Sequence, residues 1–173
     1  EAKPRLEFIR EMKETIRLLG NHPSIAAWVI FNEGWGQFQT EDMTRIVRRL
    51  DPNRLIDQAS GWFDQGGGDF SSLHNYFFKL FIRPERERAS VLSEFGGYSY
   101  REPSHCAKEK LYGYGICKNK KDLEKRFLER WSGVRNLIPQ GLSASIYTQW
   151  TDVEEEVNGV FTYDREVRKI EPF

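Results

Sequence analysis

The chain lacks the cysteine patterns that mark redox proteins and zinc sites. Its two cysteines, Cys106 and Cys117, form neither a Cys-x-x-Cys pair nor a recognisable zinc spacing. We therefore predict two free thiols in preference to a disulfide or a metal site. The glycine run 66–68 also lacks the Lys-Ser/Thr pair of a phosphate-binding loop and precedes a strand-like segment. It indicates a mobile surface connection.

An excess of charge of either sign is absent as well. Lys+Arg and Asp+Glu number 26 each among 173 residues, which gives a formal net charge of zero. No basic field exists to attract nucleic acid or an anionic membrane. No apolar stretch approaches the roughly 18 residues that span a bilayer, and no signal-peptide pattern is present. We expect neither nucleic acid nor a membrane as partner. Because the chain begins at Glu1 without an initiator methionine, we expect it to be a segment of a longer protein.

Aromatic residues, in contrast, are abundant. They make up 14 % of the chain, with five Trp, seven Tyr and twelve Phe. Aromatic faces stack on sugar rings, but they are also ordinary core material. A neutral glycan is therefore compatible with both the charge balance and the aromatic content, without being required by them.

Helical and strand-like segments alternate along the chain. Apolar residues at three- and four-residue spacing predict helices over 4–19, 40–50 and 121–138. Short apolar runs predict strands over 25–31, 55–58, 70–74, 91–93 and 143–148, and the first reads as a strand covered on both faces. Residues 98–119 form a long irregular insertion, a kind of loop that is usually functional, and 159–165 read as an exposed loop. This order predicts one domain over 1–173, built of parallel βα units.

Two glutamates follow predicted buried strands. Glu33 comes after Asn32 at the end of one apolar run, and Glu94 comes after Ser93 at the end of another. Ligands of parallel sheets bind at the carboxyl ends of the strands. Two carboxyl groups there suit glycoside hydrolysis, in which one protonates the leaving oxygen and the other attacks the sugar or activates water. A lone glutamate is more often a solvated charge, as we expect for the run 154–156.

Four short motifs resemble the catalytic domain of glycoside hydrolase family 2, which includes β-galactosidases, β-glucuronidases and β-mannosidases. They are Asn21–Ser24, Asn32-Glu33, Ser93–Gly96 and Tyr147–Asp152, in the order of that family. The resemblance covers nearly the whole chain. It implies an α/β fold of the (β/α)8 TIM-barrel type, here a partial barrel that covers about strands four to eight.

The resemblance also implies roles for particular residues. Glu33 matches the general acid/base, and Glu94 matches the nucleophile. Asn32 matches the residue that holds the 2-hydroxyl of the sugar, and Tyr76 matches the tyrosine that hydrogen-bonds the nucleophile. His74 precedes Tyr76 on the same strand face, where it is either a substrate-site residue or a structural histidine.

Two tryptophans are further candidates for substrate binding. Trp35 follows the acid/base, and we favour substrate contact over simple loop packing. Trp150 matches the second of two aromatic positions that end strand eight in the family, whereas the first position is Thr148. The triplet Asn119-Lys120-Lys121 has the Asn-x-Lys pattern that glucuronidases use to bind the sugar carboxylate. We attribute it to chance in a lysine-rich loop.

The function implied is hydrolysis of terminal β-glycosidic bonds in a carbohydrate substrate, with retention and without cofactor or metal. Retention requires the two carboxyl groups to lie about 5 to 5.5 Å apart. A second hypothesis is a noncatalytic fragment, completed by missing N-terminal domains of the same polypeptide or by a homo-oligomer that covers its edge strands. A carbohydrate-binding module is a third, which would have no need of two strand-end glutamates.

Overall fold

The computed structural model describes residues 2–106 and 108–171, so residue 107 of the predicted insertion lies outside the described part. The chain divides into two compact units. Unit 1 holds residues 1–72 and 85–90, and unit 2 holds residues 73–84 and 91–173. The elements are α1 (Ala2–Leu19), β1 (Ala27–Asn32), α2 (Thr40–Leu50), β2 (Leu55–Ser60), β3 (Phe70–Asn75), β4 (Ala89–Gly96), α3 (Lys120–Leu137), a 3-10 turn (Ile138–Gln140) and β5 (Leu142–Thr148).

Unit 1 packs two amphipathic helices on a pair of strands. β1 runs parallel to β2, with a register that pairs Ala27 with Leu55 and Asn32 with Ser60. Ile16 of α1, Val47 of α2 and Ile56 of β2 form one buried cluster. The half-buried side chains that pack against it are Met12, Trp28, Ile30 and Leu50. These apolar faces hold the end of β1 in a fixed place, because closely packed cores tolerate little displacement.

Unit 2 is built on a sheet of strand order β3-β4-β5, and β3 and β4 enter it from unit 1. Asn119 caps the N-terminus of helix α3, and its side chain accepts a hydrogen bond from the N–H of Asp122 at 3.0 Å. Phe95 of β4 is fully buried and meets the rings of Trp131 and Tyr147 edge-on. The helix is thereby fixed to the sheet near the end of β4.

Several predicted boundaries and environments were wrong. β4 extends to Gly96, so Glu94 lies inside the strand and not beyond it. β1 is not covered on both faces, since Val29 is 58 % exposed. Among the described residues β1 pairs with one strand only. Helix α3 ends at Leu137, before Pro139, because proline has no N–H to continue an α-helix.

The loop over 159–165 is also more buried than predicted. Thr162 is fully buried, and its hydroxyl donates to Asp164 at 2.6 Å and accepts from the N–H of Val167 at 3.1 Å. Both cysteines are free, as predicted. No helix in the described part of the chain is long and apolar enough to cross a membrane.

Candidate active site

Glu33 occupies a sharp turn directly after β1. Its backbone has a φ of 52°, in the left-handed region, and its N–H donates to the carbonyl of Ser60 at 2.9 Å. Gly34 follows with a φ of 77°, and a Cβ there would lie 2.3 Å from Cδ2 of Phe63. The turn therefore requires glycine next to Glu33. It leaves Glu33 half-buried at the end of the strand.

The neighbours of Glu33 are more exposed. Asn32 is the last residue of β1, and its carbonyl accepts a hydrogen bond from the N–H of Trp35 at 3.0 Å. The Trp35 side chain is 79 % exposed. A large indole in this position is available to a ligand, and substrate contact by Trp35 stays a prediction.

Glu94 is held by two side chains from the end of β3. The hydroxyl of Tyr76 donates to Oε2 of Glu94. Nδ1 of His74 lies 3.3 Å from the same oxygen, and the His74 side chain is completely buried. Because His74 and Tyr76 are two residues apart, they project from the same face of the chain. Glu94 itself keeps 31 % of its side chain exposed, so the carboxylate is oriented and still accessible.

Tyr76 is a neutral donor in this arrangement. Burial raises the pKa of Tyr76 strongly, and its hydrogen bond to Glu94 raises that pKa further. The phenol therefore stays protonated at neutral pH. Its oxygen also lies 3.2 Å from Oγ1 of Thr148, the last residue of β5. The ends of β3, β4 and β5 thus meet in one hydrogen-bonded group around Glu94.

Arg130 of α3 fixes the segment that carries Tyr76. Its guanidinium donates to the carbonyls of Tyr76 at 2.8 Å and Phe78 at 2.7 Å, and to the hydroxyl of Tyr98 at 2.7 Å. Tyr98 lies just beyond β4, so one side chain ties together the segments that follow β3 and β4. Arg130 was not predicted as a site residue, because no local pattern distinguishes it from the other basic residues of α3.

Tyr114, from the insertion 98–119, covers Tyr76. The two rings are stacked, with centroids 3.5 Å apart and planes at 7°. Gly97 makes room for this contact, since a Cβ on that residue would lie 2.5 Å from Cδ2 of Tyr114. The insertion was predicted to be functional, but Tyr114 was not predicted as a site residue. The tyrosine and glycine content of the loop was the available signal.

Trp150 lies in a different setting. It is 69 % exposed, and its ring is 5.0 Å from that of Phe161. Thr148, which precedes Gln149 in the Tyr147–Asp152 motif, makes the contact with Tyr76 described above. A role for Trp150 in substrate binding stays a prediction.

The structure therefore brings His74, Tyr76 and Glu94 together within unit 2. Asn32, Glu33 and Trp35 belong to unit 1. The separation of the two glutamates stays a prediction. Chemically, an accessible carboxylate held by a phenol and an imidazole is suited to act as a nucleophile or as a base.

Three side chains of the kinds that bind metal ions lie close together elsewhere in unit 2. His105, Asp164 and Glu166 place one ligand atom each within 4.8 Å of one another. Nδ1 of His105 lies 2.8 Å from Asp164, and this hydrogen bond raises the pKa of His105. The pKa of Asp164 is lowered to about 2, first by the hydrogen bond from Thr162 and then by the one from His105. An ion pair accounts for this geometry.

Two residues of the Asn-x-Lys triplet, Asn119 and Lys120, make structural contacts. Asn119 caps α3, and Nζ of Lys120 donates to the carbonyl of Arg168 and to Glu171, both at 3.2 Å. Lys120 is the middle residue of the triplet, and the lysine of the Asn-x-Lys pattern is Lys121. The attribution of the triplet to chance stays a prediction.

Comparison with solved structures finds the same fold. A candidate β-galactosidase from Bacteroides fragilis aligns with a TM-score of 0.63 and 18 % identity over 93 % of this chain and 29 % of that one. The β-glucuronidase of an uncultured Clostridium species aligns with a TM-score of 0.65 and 16 % identity over 94 % and 34 %. That of Lactobacillus rhamnosus gives 0.64 and 16 % over 95 % and 33 %. The chain thus spans about a third of the structures it matches.

A comparison with curated proteins gives no match. The sequence model of the family described as "Glycosyl hydrolases family 2, TIM barrel domain" matches residues 2–91, which is just over half of the chain. The predicted fold class, α/β with part of a (β/α)8 barrel, and the resemblance stated from the motifs are both confirmed. The chain belongs to glycosyl hydrolase family 2 and contains part of its TIM barrel domain.

Proposed function

We propose that the protein hydrolyses terminal β-glycosidic bonds in oligosaccharides or glycoconjugates by a retaining, double-displacement mechanism. The observation that carries the proposal is the position of Glu94. Its carboxylate accepts a hydrogen bond from Tyr76 and lies beside His74 at the end of a sheet, while part of it faces solvent. Membership of a glycosidase family supports the same reading.

In this proposal Glu94 attacks the anomeric carbon while Glu33 donates its proton to the leaving oxygen. The resulting glycosyl ester is cleaved by a water molecule from which Glu33 takes a proton, so Glu33 ends the cycle protonated again. Asn32 binds the 2-hydroxyl of the sugar. His74 and Tyr76 orient the nucleophile, and Trp35 and Trp150 contact the substrate. Retention requires the carboxyl groups of Glu33 and Glu94 to lie about 5 to 5.5 Å apart.

The sugar is the open part of the proposal. The similar structures are a candidate β-galactosidase and β-glucuronidases. At these levels of identity they support the fold, and they nominate β-galactosides and β-glucuronides as the first substrates to test. A panel of nitrophenyl β-galactoside, β-glucuronide and β-mannoside separates the choices.

Trapping of the covalent intermediate tests the mechanism. A 2-deoxy-2-fluoro glycosyl fluoride of the active sugar should add one sugar mass to the protein, on the peptide that carries Glu94. Glu94→Gln should abolish this labelling. Glu33→Ala should keep activity on substrates with good leaving groups and respond to added azide. Glu155→Gln, at an exposed glutamate, is the matched control and should leave labelling unchanged. Labelling of any residue other than Glu94 contradicts the assignment.

A noncatalytic role for the chain on its own is the second candidate. It is favoured by the coverage of 29 % to 34 % of the similar structures. In this case the chain functions only with further polypeptide, supplied by the same protein or by a second copy. Size-exclusion mass and turnover of chromogenic β-glycosides, measured on one preparation, separate a monomer without activity from an active assembly.

A further inference from the structure

The turn that carries Glu33 is in contact with a second loop of unit 1. That loop follows β2, and we refer to residues 61–68 as the β2 loop. A Cβ on Gly34 would lie within 3.0 Å of three atoms of the Phe63 ring. The ring therefore fills the space beside Gly34, the residue that directly follows the proposed acid/base.

Phe63 has a backbone conformation that a phenylalanine rarely adopts. Its φ is 60°, in the left-handed region that is unfavourable for bulky residues. Glu33 has a φ of 52° in the same region. Left-handed residues other than glycine thus occur in both of the segments that meet at Gly34. Such residues persist where the surrounding structure fixes them, and they concentrate at functional sites.

Hydrogen bonds and an ion pair anchor the β2 loop at Phe63. The carbonyl of Phe63 accepts from Nε2 of Gln65 at 2.8 Å and from Nε2 of Gln37, in the segment after β1, at 3.4 Å. The next residue, Asp64, accepts two hydrogen bonds from Arg88, at 2.8 Å and 2.7 Å. The side chain of Arg88 is only 8 % exposed. The loop is therefore held by a nearly buried guanidinium directly beside Phe63.

Burial does not explain why a phenylalanine occupies this position. The Phe63 ring is 70 % exposed, so the free energy gained by removing it from water is small. Its contact with Gly34 is the interaction that remains. The N–H of Glu33 is bound to the carbonyl of Ser60 at 2.9 Å, and the ring closes the space beside the next residue. The turn is thus held by two successive contacts from the end of β2 and the loop that follows.

We propose that Phe63 is a positioning residue for Glu33, and that its ring holds the turn in the conformation in which the carboxyl group reaches the leaving oxygen. The inference rests on the proposed glycosidase function, in which Glu33 gives its proton to that oxygen. Phe63 acts through Gly34 and does not itself contact the substrate. The position of the acid/base then depends on the β2 loop as well as on β1.

A displaced acid has a selective effect on glycoside hydrolysis. Phenolate is a poor leaving group that needs the proton of Glu33, whereas 2,4-dinitrophenolate leaves as the anion without it. Both leaving groups contain an aryl ring. Loss of positioning should therefore slow the release of phenol and spare the release of dinitrophenol. Partial unfolding, or the loss of a direct contact with the aryl ring, should slow both.

The measurement is kcat/KM for the phenyl and 2,4-dinitrophenyl β-glycosides of the sugar that the nitrophenyl panel identifies, on the full-length protein that carries this chain. This ratio covers the steps up to the glycosyl-enzyme, so it reports on proton donation to the leaving group. Phe63→Ala should lower the phenyl value by about 10- to 100-fold and keep the dinitrophenyl value within about twofold. Phe63→Tyr, which keeps the ring, should keep both values. Phe81→Ala, at an exposed phenylalanine of unit 2, is the control and should change neither.

Gly34→Ala tests the same contact without removing Phe63. Its Cβ would collide with the ring and displace the turn, so it should lower the phenyl value and spare the dinitrophenyl value. In the Phe63→Ala protein the ring is absent, and adding Gly34→Ala should then lower the phenyl value by a smaller factor. Equal factors in the two backgrounds would show that the ring does not hold the turn.

Each other outcome has a defined meaning. If Phe63→Ala lowers both values equally, lowers neither, or has the same effect as Phe81→Ala, the inference is wrong while the proposed function stands. Glu33→Ala, measured alongside, should show a larger loss with the same selectivity. If Glu33→Ala keeps its activity on the phenyl glycoside, the role of Glu33 is wrong and the inference fails with it. If the unaltered protein hydrolyses no glycoside, the proposed function itself fails.

Discussion

At the scale of single residues, the candidate site depends on one phenol. Tyr76 is the donor to Glu94, lies 3.2 Å from Thr148 and stacks on Tyr114. Its hydroxyl and its ring have separate tasks. The hydroxyl orients the carboxylate, whereas the ring joins the insertion 98–119 to the site. A substitution that removes only the hydroxyl therefore tests the first task without disturbing the second.

Tyr76→Phe should lower kcat by about 10- to 100-fold, the range expected when a hydrogen bond to a charged group is lost. The stack on Tyr114 survives, so KM and thermal stability should change little. Tyr112→Phe, which removes a hydroxyl from an exposed ring, is the matched control and should keep full activity. Steady-state kinetics on a nitrophenyl glycoside measures the effect. An unchanged kcat in Tyr76→Phe would show that the hydrogen bond is dispensable.

We expect the two cysteines to differ in reactivity because they differ in burial. Burial raises the pKa of Cys117 to about 11, and Cys117 packs in the core with Leu123 and Phe127. Its thiolate is therefore scarce below pH 9 and increases only as the pH approaches 11. Cys106 is partly exposed.

At pH 8 an aromatic disulfide reagent should modify one thiol per native chain and two in denaturant. Cys106→Ser should abolish the native reaction, whereas Cys117→Ser should leave it unchanged. Rapid modification of two thiols in the native protein would contradict the buried position of Cys117.

At the scale of the elements, helix α3 acts as the support of the site. It contributes Leu123, Phe127 and Val134 to the cores of unit 2, and it directs Arg130 at the segment after β3. Arg126, one turn earlier, also lies near the Tyr98 ring, at 5.5 Å against 5.6 Å for Arg130. Only Arg130 donates to the carbonyls of Tyr76 and Phe78 in the described contacts. The two arginines thus form a natural comparison.

Arg130→Met should lower kcat by about 10- to 100-fold, because small displacements of a positioning contact cost rates of this order. KM should change much less, and Arg130→Lys should recover part of the loss. Arg126→Met, which breaks a half-buried pair with Asp122 away from Tyr76 and Phe78, should keep kcat within about twofold. Circular dichroism melts of all three variants control for unfolding. Equal losses of kcat in Arg126→Met and Arg130→Met would show that Arg130 does not position the site.

The elements themselves were largely predictable from sequence. Helix α2 has the predicted bounds, because apolar spacing and the Asp51-Pro52 stop are local signals. The strand over 91–93 was predicted too short, since Glu94 interrupts the apolar run although it lies in β4. The local sequence pattern indicates which face of a strand is buried. It does not reveal a polar residue that a functional site requires within the strand.

Some residues of the candidate site were predictable from sequence and others were not. Glu94 and Tyr76 were identified through the family resemblance, whereas Arg130 was not predicted and Thr148 was noted only as a departure from the family's aromatic position. Those two reach Tyr76 across 54 and 72 positions of sequence, so only the folded chain brings them together. Lys169 is a further example. It is fully buried and paired with Asp152 at 2.6 Å, although a lysine in a charged tail reads as solvated.

At the scale of the whole molecule, the outer strands are incompletely covered. In the described part of the chain, β1 pairs only with β2, and β5 pairs only with β4. Val29 of β1 and Ile146 of β5 are 58 % and 60 % exposed. A barrel of eight strands has its strand number, tilt and shear mutually fixed, and five strands do not satisfy that relation. The candidate site therefore lies on strands whose sheets extend further in a complete barrel.

This chain expressed alone should have little or no glycosidase activity, although both glutamates are present. The similar structures are about three times as long as the part they share with it, and loops from further strands normally complete a sugar site at the barrel's carboxyl end. A displacement of about 1 Å in one contact lowers the rate on the order of 100-fold, so a site that lacks some of its walls should lose at least that much. The measurement is kcat/KM on nitrophenyl β-glycosides for this chain beside a longer protein that contains it. Glu94→Gln in the same expression host controls for contaminating enzyme, and equal kcat/KM values for the two lengths would show that five strands hold a complete site.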